Sequence, residues 1–186
     1  MSKQVWKPGT MVYPLPAVMV SCGDMEKSNI ITVAWTGTIC TDPAMVYISV
    51  RPERYSYNMI KETGEFVINL TTKELARKTD FAGVRSGRDL DKFDKLKLTK
   101  EKANKIKAPL IKESPVNIEC KVTEIKELGS HHMFIAKVLA VDIDEKYLDE
   151  KGKFCLEKAN LITYSHGEYY EQGKNIGKFG FSVKKK

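Results

Sequence analysis

SNIITVAWTGTICTDPAMVYISVRPERYSYNMIKETGEFVINL, residues 28–70, is the stretch that decides the fold. It contains three short apolar runs rich in valine and isoleucine, Ile30–Trp35, Met45–Val50 and Phe66–Leu70, which are bounded by Gly, Asp and Pro. Runs of this length and composition predict β-strands. The segment Thr36–Pro43, between the first two runs, holds small and polar residues, which predicts a loop.

An arginine and a serine lie between the second and third predicted strands, ahead of a short helical pattern. Arg51 follows the second strand, Ser56 is a candidate helix N-cap, and Gly64 suits the position just past a helix end. An arginine, a capping hydroxyl and the free N–H groups of a first helical turn together predict an anion site, best matched to a phosphate. The alternative for Arg51 is a surface ion pair with Glu53 or Glu65. We interpret the stretch as a small barrel wall that holds a phosphorylated ligand.

The composition indicates one globular domain with a basic surface. Hydrophobic residues make up 42% of the 186 and charged residues 30%, which is ordinary for a globular protein. This length suits a single domain, residues 1–186, with a real core. The net charge is +7, but the basic residues are scattered and only Lys184–Lys186 form a run. A basic surface that attracts anionic ligands is therefore preferred over nucleic-acid binding.

Cysteine spacing and the chain start indicate a reduced, cytoplasmic setting. The four cysteines, Cys22, Cys40, Cys120 and Cys155, are far apart and form no CxxC pair, which predicts reduced and mostly structural thiols. Residues 1–10 lack an apolar signal core, and no apolar run approaches membrane-spanning length. We expect a cytoplasmic protein with no membrane partner. The histidines do not have the spacing of metal ligands, so no metal site is expected.

The remaining sequence adds more strands than helices. Ala17–Ser21 and Ile30–Trp35 predict a hairpin, and Val116–Val122 and Met133–Ile143 predict a long antiparallel ribbon. Alternation in the ribbon's first strand predicts one apolar face and one polar face, the latter carrying Asn117, Glu119 and Lys121. Strands separated by turns favour a barrel over a parallel doubly wound sheet.

Two capping signatures predict short helices in the middle of the chain. Thr71–Glu74 is a capping box that opens a helix to about Thr79, and Ser86–Asp89 precedes a helical piece that ends near Phe93. The lysine-rich segment Lys95–Lys107 predicts a solvated connection. Met1–Pro16, with four prolines or glycines, predicts an extended arm.

Several short motifs, taken in order, carry a family resemblance. The motifs are Asn29-x-x-Thr32-x-Ala34-Trp35, Asp42-Pro43, Ile48-Ser49-Val50-Arg51, Ser56-x-x-x-Ile60, Gly64–Asn69, Ser86–Phe93, Gly129-Ser130-His131 and Gly177–Ser182. From about Ala17 to its end, the chain resembles the flavin reductase family, which includes the flavoredoxins. The resemblance implies a mostly β fold with short helices, a Greek-key split barrel that binds FMN. Ser130 departs from the family's usual Asp beside His131.

The resemblance also implies a set of site residues. His131 corresponds to the family position that faces the flavin and an incoming nicotinamide, and Lys92 would add positive charge near the phosphate or lie on a solvated helix face. The implied cofactor-binding residues are Asn29, Thr32, Ala34, Trp35, Thr36, Cys40, Ser49, Val50, Arg51, Ser56, Tyr57 and Lys92. Without the resemblance, simple turn and strand chemistry would explain Asn29 and Thr32.

Three functions follow as hypotheses. The first is an NAD(P)H-dependent flavin reductase, in which a nicotinamide stacks directly on the flavin because the chain has no GxGxxG fingerprint after a strand. The second is a flavoredoxin-type FMN electron carrier that receives electrons from a redox protein partner. The third, a nucleic-acid-binding barrel, is supported only by the basic charge.

A homodimer is the expected assembly, because split-barrel flavin reductases are typically dimers. Large apolar residues on the arm (1–16) and the tail (161–186) would otherwise expose an association hazard. These residues are Trp6, Met11, Tyr13, Leu15, Tyr169, Tyr170, Phe179 and Phe181. The alternative is that both segments fold over their own barrel.

Overall fold

Strands dominate the fold, and short helices connect them. The computed structural model describes residues 1–183. The α-helices are α1 (Tyr55–Thr63), α2 (Ala76–Val84) and α3 (Lys92–Leu96). The strands are β1 (Leu15–Pro16), β2 (Val18–Gly23), β3 (Ser28–Val33), β4 (Thr36–Thr41), β5 (Ala44–Val50), β6 (Glu65–Leu70), β7 (Lys100–Glu101), β8 (Leu110–Ile111), β9 (Val116–Glu127), β10 (His132–Ile143), β11 (Ile162–Ser165) and β12 (Glu168–Glu171). Within residues 1–183, no helix combines the length and apolarity needed to cross a membrane.

Seven strands form one antiparallel sheet in the order β3-β2-β6-β9-β10-β5-β4. The predicted hairpin is β2 paired with β3, and the predicted ribbon is β9 paired with β10, with two register shifts along it. The sheet curls until the chain after β3 meets β5, where the Ser49 amide donates to the Trp35 carbonyl at 2.8 Å. Three of the six neighbouring pairs, β2 with β6, β6 with β9 and β10 with β5, are not consecutive in sequence, as in a Greek key. The mostly β split barrel expected from the sequence is therefore confirmed.

Apolar side chains fill the barrel and also bind the helices to its outside. Val20, Ile48, Phe66 and Phe134 are fully buried in the interior cluster. These β-branched and aromatic side chains suit strands that are covered on both faces. A second buried cluster joins the outer face of β2 and β3 to the helices and comprises Met19, Ile30, Leu75, Ala82, Phe93, Leu98 and Ile111.

A separate small sheet ties the end of the arm and the start of the tail to the barrel. It consists of β1, β11 and β12. The Ile162 amide donates to the Thr71 carbonyl at 3.1 Å, and Lys73 forms an ion pair with Glu171 at 2.6 Å. Residues 1–12 and 170–179 are exposed. Each terminal segment therefore packs on its own barrel only through the part nearest the small sheet.

Two local predictions are corrected by the structure, and a third is confirmed. Thr36–Pro43 is not a loop, because Thr36–Thr41 is the edge strand β4, whose β-branched residues pair with β5. Ser56 is not the N-cap of α1. Arg54 holds that position with no side-chain cap, while Ser56 lies buried in the first turn. Gly64 does end the helix, with φ of 64°.

The middle helices begin later than predicted. Thr71–Glu74 forms a turn ahead of α2, which begins at Ala76 and continues to Val84, and Asp91 caps α3 by accepting two main-chain N–H bonds. The capping box predicted at Thr71 therefore does not start the helix.

The connection before β9 is packed rather than solvated. Ala103, Ile106 and Ala108 are buried against Val67, on the outside of the barrel. This segment also covers part of the face of β9 that was predicted to be polar. Glu119 is fully buried there, and its carboxylate accepts the amides of residues 104 and 105, each at 2.7 Å. Polar groups can be buried in this way when they are fully hydrogen-bonded.

Candidate functional site

Two adjoining cavities lie where β3, β5 and α1 meet the small sheet. We call the first the aromatic cleft; it has a volume of about 230 Å³. We call the second the basic pocket; it has a volume of about 130 Å³. The two cavities adjoin, since Ile31, Arg54 and Gly83 line both. The aromatic cleft is otherwise lined by Ala17, Thr32, Val33, Ala34, Trp35, Ser49, Val50, Arg51, His131, Tyr164 and Tyr169.

Flat rings form much of the wall of the aromatic cleft. The Trp35 and His131 rings are stacked, with centroids 5.9 Å apart and planes within 2° of parallel. Tyr164 and Tyr169 pair across the small sheet, and their ring centroids are 5.7 Å apart. Burial, with the nearby Asp80 carboxylate, raises the pKa of Tyr169 to about 12, so its hydroxyl stays protonated. Flat apolar walls with a few polar groups suit a planar aromatic ligand.

The surroundings of His131 favour the neutral form of its imidazole. Two effects lower the pKa of its imidazole below the ordinary value of 6.5. Partial burial is the larger effect, and the positive charge of Arg51 is the second. Its Nδ1 lies 2.9 Å from the Ser130 hydroxyl oxygen, within hydrogen-bond distance. The neighbouring Ser130 adds no negative charge that would oppose this shift.

The basic pocket has a buried polar floor. The Asn29 side-chain amide donates to the Ser56 hydroxyl at 2.8 Å, and both residues are buried. Lys92 is only 3% exposed, and its Nζ donates to the Ile30 carbonyl at 2.7 Å and the Ala82 carbonyl at 2.6 Å. Since an ammonium group has three N–H donors, one remains for a ligand. Burial is the main effect that lowers the pKa of Lys92 to about 8, and the positive charge of Arg54 is the second. With this pKa, Lys92 is still charged at pH 7.

Arginines surround the mouth of the basic pocket. Arg54, Arg85 and Arg88 line it together with the first turn of α1. None of these three guanidinium groups forms an ion pair with a carboxylate of residues 1–183. A helix N-terminus with positive side chains around it is a suitable site for an anion.

The structure divides the expected site residues among the two cavities and the surrounding core. Thr32, Ala34, Trp35, Ser49, Val50, Arg51 and His131 line the aromatic cleft. Asn29, Ser56 and Lys92 line the basic pocket. Thr36, Cys40 and Tyr57 line neither cavity.

The three residues outside the cavities have other contacts. The Thr36 hydroxyl donates to the Tyr47 carbonyl at 2.6 Å, because β4 turns it toward the neighbouring strand. Cys40 lies further along β4. Tyr57 is buried in the barrel, and its hydroxyl is 2.7 Å from Nδ1 of His132.

Arg51 and Ser56, expected to act together, lie in different cavities. Arg51 lines the aromatic cleft and forms an exposed ion pair with Glu53 at 3.4 Å, which is one of the alternatives considered from the sequence. Arg54, which the sequence reasoning passed over, lines both cavities because it is the N-cap of α1. A corrected helix start, two residues earlier, would have identified it.

The other residues missed from the sequence come from distant segments. Gly83 lies on α2, so close to Thr32 that an added Cβ would be 3.1 Å from the Thr32 Cβ. Tyr164 and Tyr169 reach the cleft only because the small sheet pairs β11 with β1. The aromatic composition of the tail indicated that these tyrosines pack against other residues. Their spacing, however, did not indicate that they lie in the same cavity as Trp35.

The histidines and cysteines of residues 1–183 are dispersed through the fold. No group of three His, Cys, Asp or Glu side chains in that range is arranged to hold a metal ion. His131 stacks on Trp35, His132 bonds to Tyr57, and His166 faces Tyr13, so the histidines are dispersed. The four cysteines form no disulfide with one another. Burial raises the pKa of the Cys22 thiol to about 11, which makes it unreactive.

Comparison with known proteins identifies the fold family. The family model described as "Flavin reductase like domain" matches residues 10–172. An uncharacterized protein of Archaeoglobus fulgidus is 35% identical over 165 residues, which is 89% of this chain and 88% of that protein.

Two solved structures are similar over nearly the whole chain. The flavoredoxin of Desulfovibrio vulgaris (Miyazaki F) is 31% identical with a TM-score of 0.90, covering 98% of this chain and 100% of that chain. The flavoredoxin from Methanosarcina acetivorans is 25% identical with a TM-score of 0.86 over the same shares. The family match and these similarities agree with the observed barrel, and the chain belongs to the flavin reductase-like family.

Proposed function

We propose that the protein is an FMN-binding oxidoreductase whose phosphate anchor is the basic pocket and whose ring site is the aromatic cleft. The observation that carries this proposal is the junction of the two cavities at Arg54. An anion site and a flat apolar slot share one wall there. FMN combines a phosphate with a planar ring system, which is the combination that these two cavities fit.

The chemistry of the basic pocket fits a phosphate dianion. The remaining N–H of Lys92, the side chain of Arg54 and the free amides at the start of α1 are all donors. Lys92 and Ser56 are held in place by buried hydrogen bonds, so little ordering is needed when a ligand binds. Arg51 is proposed to act at the cleft rather than at the phosphate.

The aromatic cleft supplies shape and electrostatics to the ring. When bound, FMN supplies hydride or single-electron transfer, chemistry that the side chains of this chain do not provide. Trp35 and the Tyr164 ring offer flat apolar surface, and Arg51 and Arg54 add positive charge to the same cavity. That charge favours electron-rich, anionic forms of a ligand over neutral ones. His131 is proposed to position the electron donor at the cleft mouth.

An NAD(P)H-dependent flavin reductase is the leading form of this activity. The nicotinamide would enter the aromatic cleft directly. A flavoredoxin-type electron carrier is the second candidate, and the similarity to two flavoredoxins over 98% of the chain favours it. The carrier would exchange electrons with a protein partner. A cytoplasmic location and the absence of a nucleic-acid partner stay predictions of the sequence.

Anaerobic mixing separates the two candidates. The FMN-loaded protein is mixed with NADH or NADPH, and the flavin absorbance near the visible maximum is followed. A reductase loses its yellow colour quickly without another protein, whereas a carrier keeps it. A purified protein that neither carries nor takes up flavin would contradict both candidates.

We further propose that the protein is a homodimer. Trp6, Met11, Phe179 and Phe181 are exposed, Trp6 by 75% and Phe179 completely. Large apolar groups at this density on the two terminal segments are typical of an interface. Tyr13, Leu15 and Tyr169, in contrast, are partly covered by their own chain.

A further inference from the structure

The mouth of the basic pocket carries more positive charge than one phosphate needs. Lys92 and Arg54, with the α1 amides, already match a monophosphate dianion. Arg85 and Arg88 remain at the rim, exposed and without an ion pair in the part of the chain that the structure describes. Glu53, also at the rim, is paired with Arg51.

The loop that carries these arginines is fixed against the pocket by close packing. A Cβ added to Gly87 would lie 2.2 Å from the Asn29 Oδ1 and 2.8 Å from the Tyr55 ring, so only glycine allows this approach. The Ser86 hydroxyl accepts the Arg88 amide at 3.2 Å. Arg85 and Arg88 are thereby held on either side of a loop that lies directly on the pocket floor.

Arg88 and Tyr55 form a shelf beside this rim. The Arg88 guanidinium lies over the Tyr55 ring, 5.6 Å from its centroid, and donates to the Glu53 carbonyl at 3.1 Å. A guanidinium stacked on an aromatic ring presents a flat, positively charged surface. Such surfaces stack nucleobases and bind phosphates through the remaining N–H groups.

We propose that Arg85 and Arg88, with the Tyr55 ring, form a second phosphate subsite that takes the adenosine phosphate of a dinucleotide. This inference rests on the proposed function, because the first phosphate is that of FMN. Two dinucleotides carry the same chemistry to this position. One is NADPH, through its 2′-phosphate, and the other is FAD, through its adenylyl phosphate.

Binding measurements on the FMN-loaded protein and the apoprotein distinguish the two sources. In the first arm, calorimetry compares NADP⁺ with NAD⁺ on the FMN-loaded protein, so that no turnover is involved. In the second arm, flavin fluorescence compares FAD with FMN on the apoprotein. Both arms use the wild type and an Arg85→Ala/Arg88→Ala double variant. The control, Arg77→Ala/Lys95→Ala, removes the same charge from exposed positions outside both cavities.

If the subsite exists, the double variant has a selectively lower affinity for one of the two dinucleotides. Two lost charge-assisted contacts should weaken NADP⁺ or FAD by about tenfold or more in the double variant. Because Arg85 and Arg88 also line the basic pocket, FMN should lose some affinity too, and the subsite predicts that the loss for NADP⁺ exceeds that for NAD⁺ or that the loss for FAD exceeds that for FMN. A loss confined to NADP⁺ assigns the subsite to the 2′-phosphate, and a loss confined to FAD assigns it to the adenylyl phosphate. Equal affinities in the double variant, the control and the wild type for both ligands would overturn the subsite. Failure of FMN to bind to the wild type would overturn the proposed function, whereas unchanged NADP⁺ and FAD affinities in a double variant that still binds FMN would overturn the subsite alone.

Discussion

Replacing Lys92 with methionine tests the phosphate anchor most specifically. Methionine keeps the length and apolar stem but removes the ammonium group that donates to Ile30 and Ala82 and has one N–H to spare. A hydrogen bond to a charged group contributes roughly 1.5–3 kcal/mol, so FMN should bind about 10- to 150-fold more weakly. Riboflavin, which lacks the phosphate, should lose little affinity. Lys95→Met, on the exposed side of the same helix, is the matched control.

The pH dependence of FMN binding provides a second signature of Lys92. Because the Lys92 pKa is lowered to about 8, the ammonium form that attracts phosphate is present below pH 8 and is lost as the pH rises through that value. FMN affinity of the wild type should therefore fall between pH 7.5 and about 9.5, by at most about tenfold per pH unit. Fluorescence titrations of FMN and riboflavin across this range measure the effect. A Lys92→Met protein that weakens both flavins equally, or that keeps the wild-type pH dependence, would refute the assignment.

Four further outcomes are expected. Gly87→Ala should lower FMN affinity and melting temperature because its Cβ would collide with Asn29, whereas Gly129→Ala, with open space around it, should be neutral in both titration and thermal melts. Burial and the charge of Glu119 raise the Asp142 pKa, so its stabilising contribution is fully present below the ordinary value of 3.8 and is lost as the pH rises through the raised value. Between pH 4 and pH 8, the unfolding free energy measured in urea titrations should therefore fall less in the Asp142→Asn variant than in the wild type. Cys40→Ser should keep wild-type FMN binding and turnover, and a collapse in rate with FMN still bound would assign the thiol a role. Light scattering should give a mass near twice 21.1 kDa, and a strictly monomeric FMN-loaded protein at micromolar concentration would contradict the dimer.

The barrel strands could be predicted because their signal is local. Ile30–Trp35 and Phe66–Leu70 are apolar on both faces, and the structure covers both of those faces. Gly64 marked a helix end because its positive φ disfavours other residues. The strand β4 escaped prediction because its sequence, TGTICT, has one large apolar residue and stays at the sheet edge, where little is buried.

The site could be predicted only in part, because much of it is formed by contacts that are not local in sequence. Residues near β3 and β5 were found from short motifs, but the floor of the basic pocket is made by contacts between distant segments. Asn29 meets Ser56, and Lys92 reaches the Ile30 carbonyl, across 27 and 62 residues of chain. Local patterns carry no information on such distances. The burial of Glu119 was missed for the same reason, because its cover comes from another segment.

The measurement that tests the central claim most directly is a titration of the apoprotein with FMN and with riboflavin, followed by flavin fluorescence at pH 7. If the two cavities hold a phosphate and a flavin ring, FMN saturates at one per chain and binds about tenfold or more tightly than riboflavin. Equal affinity for the two flavins, or no saturable binding of either, would contradict the account.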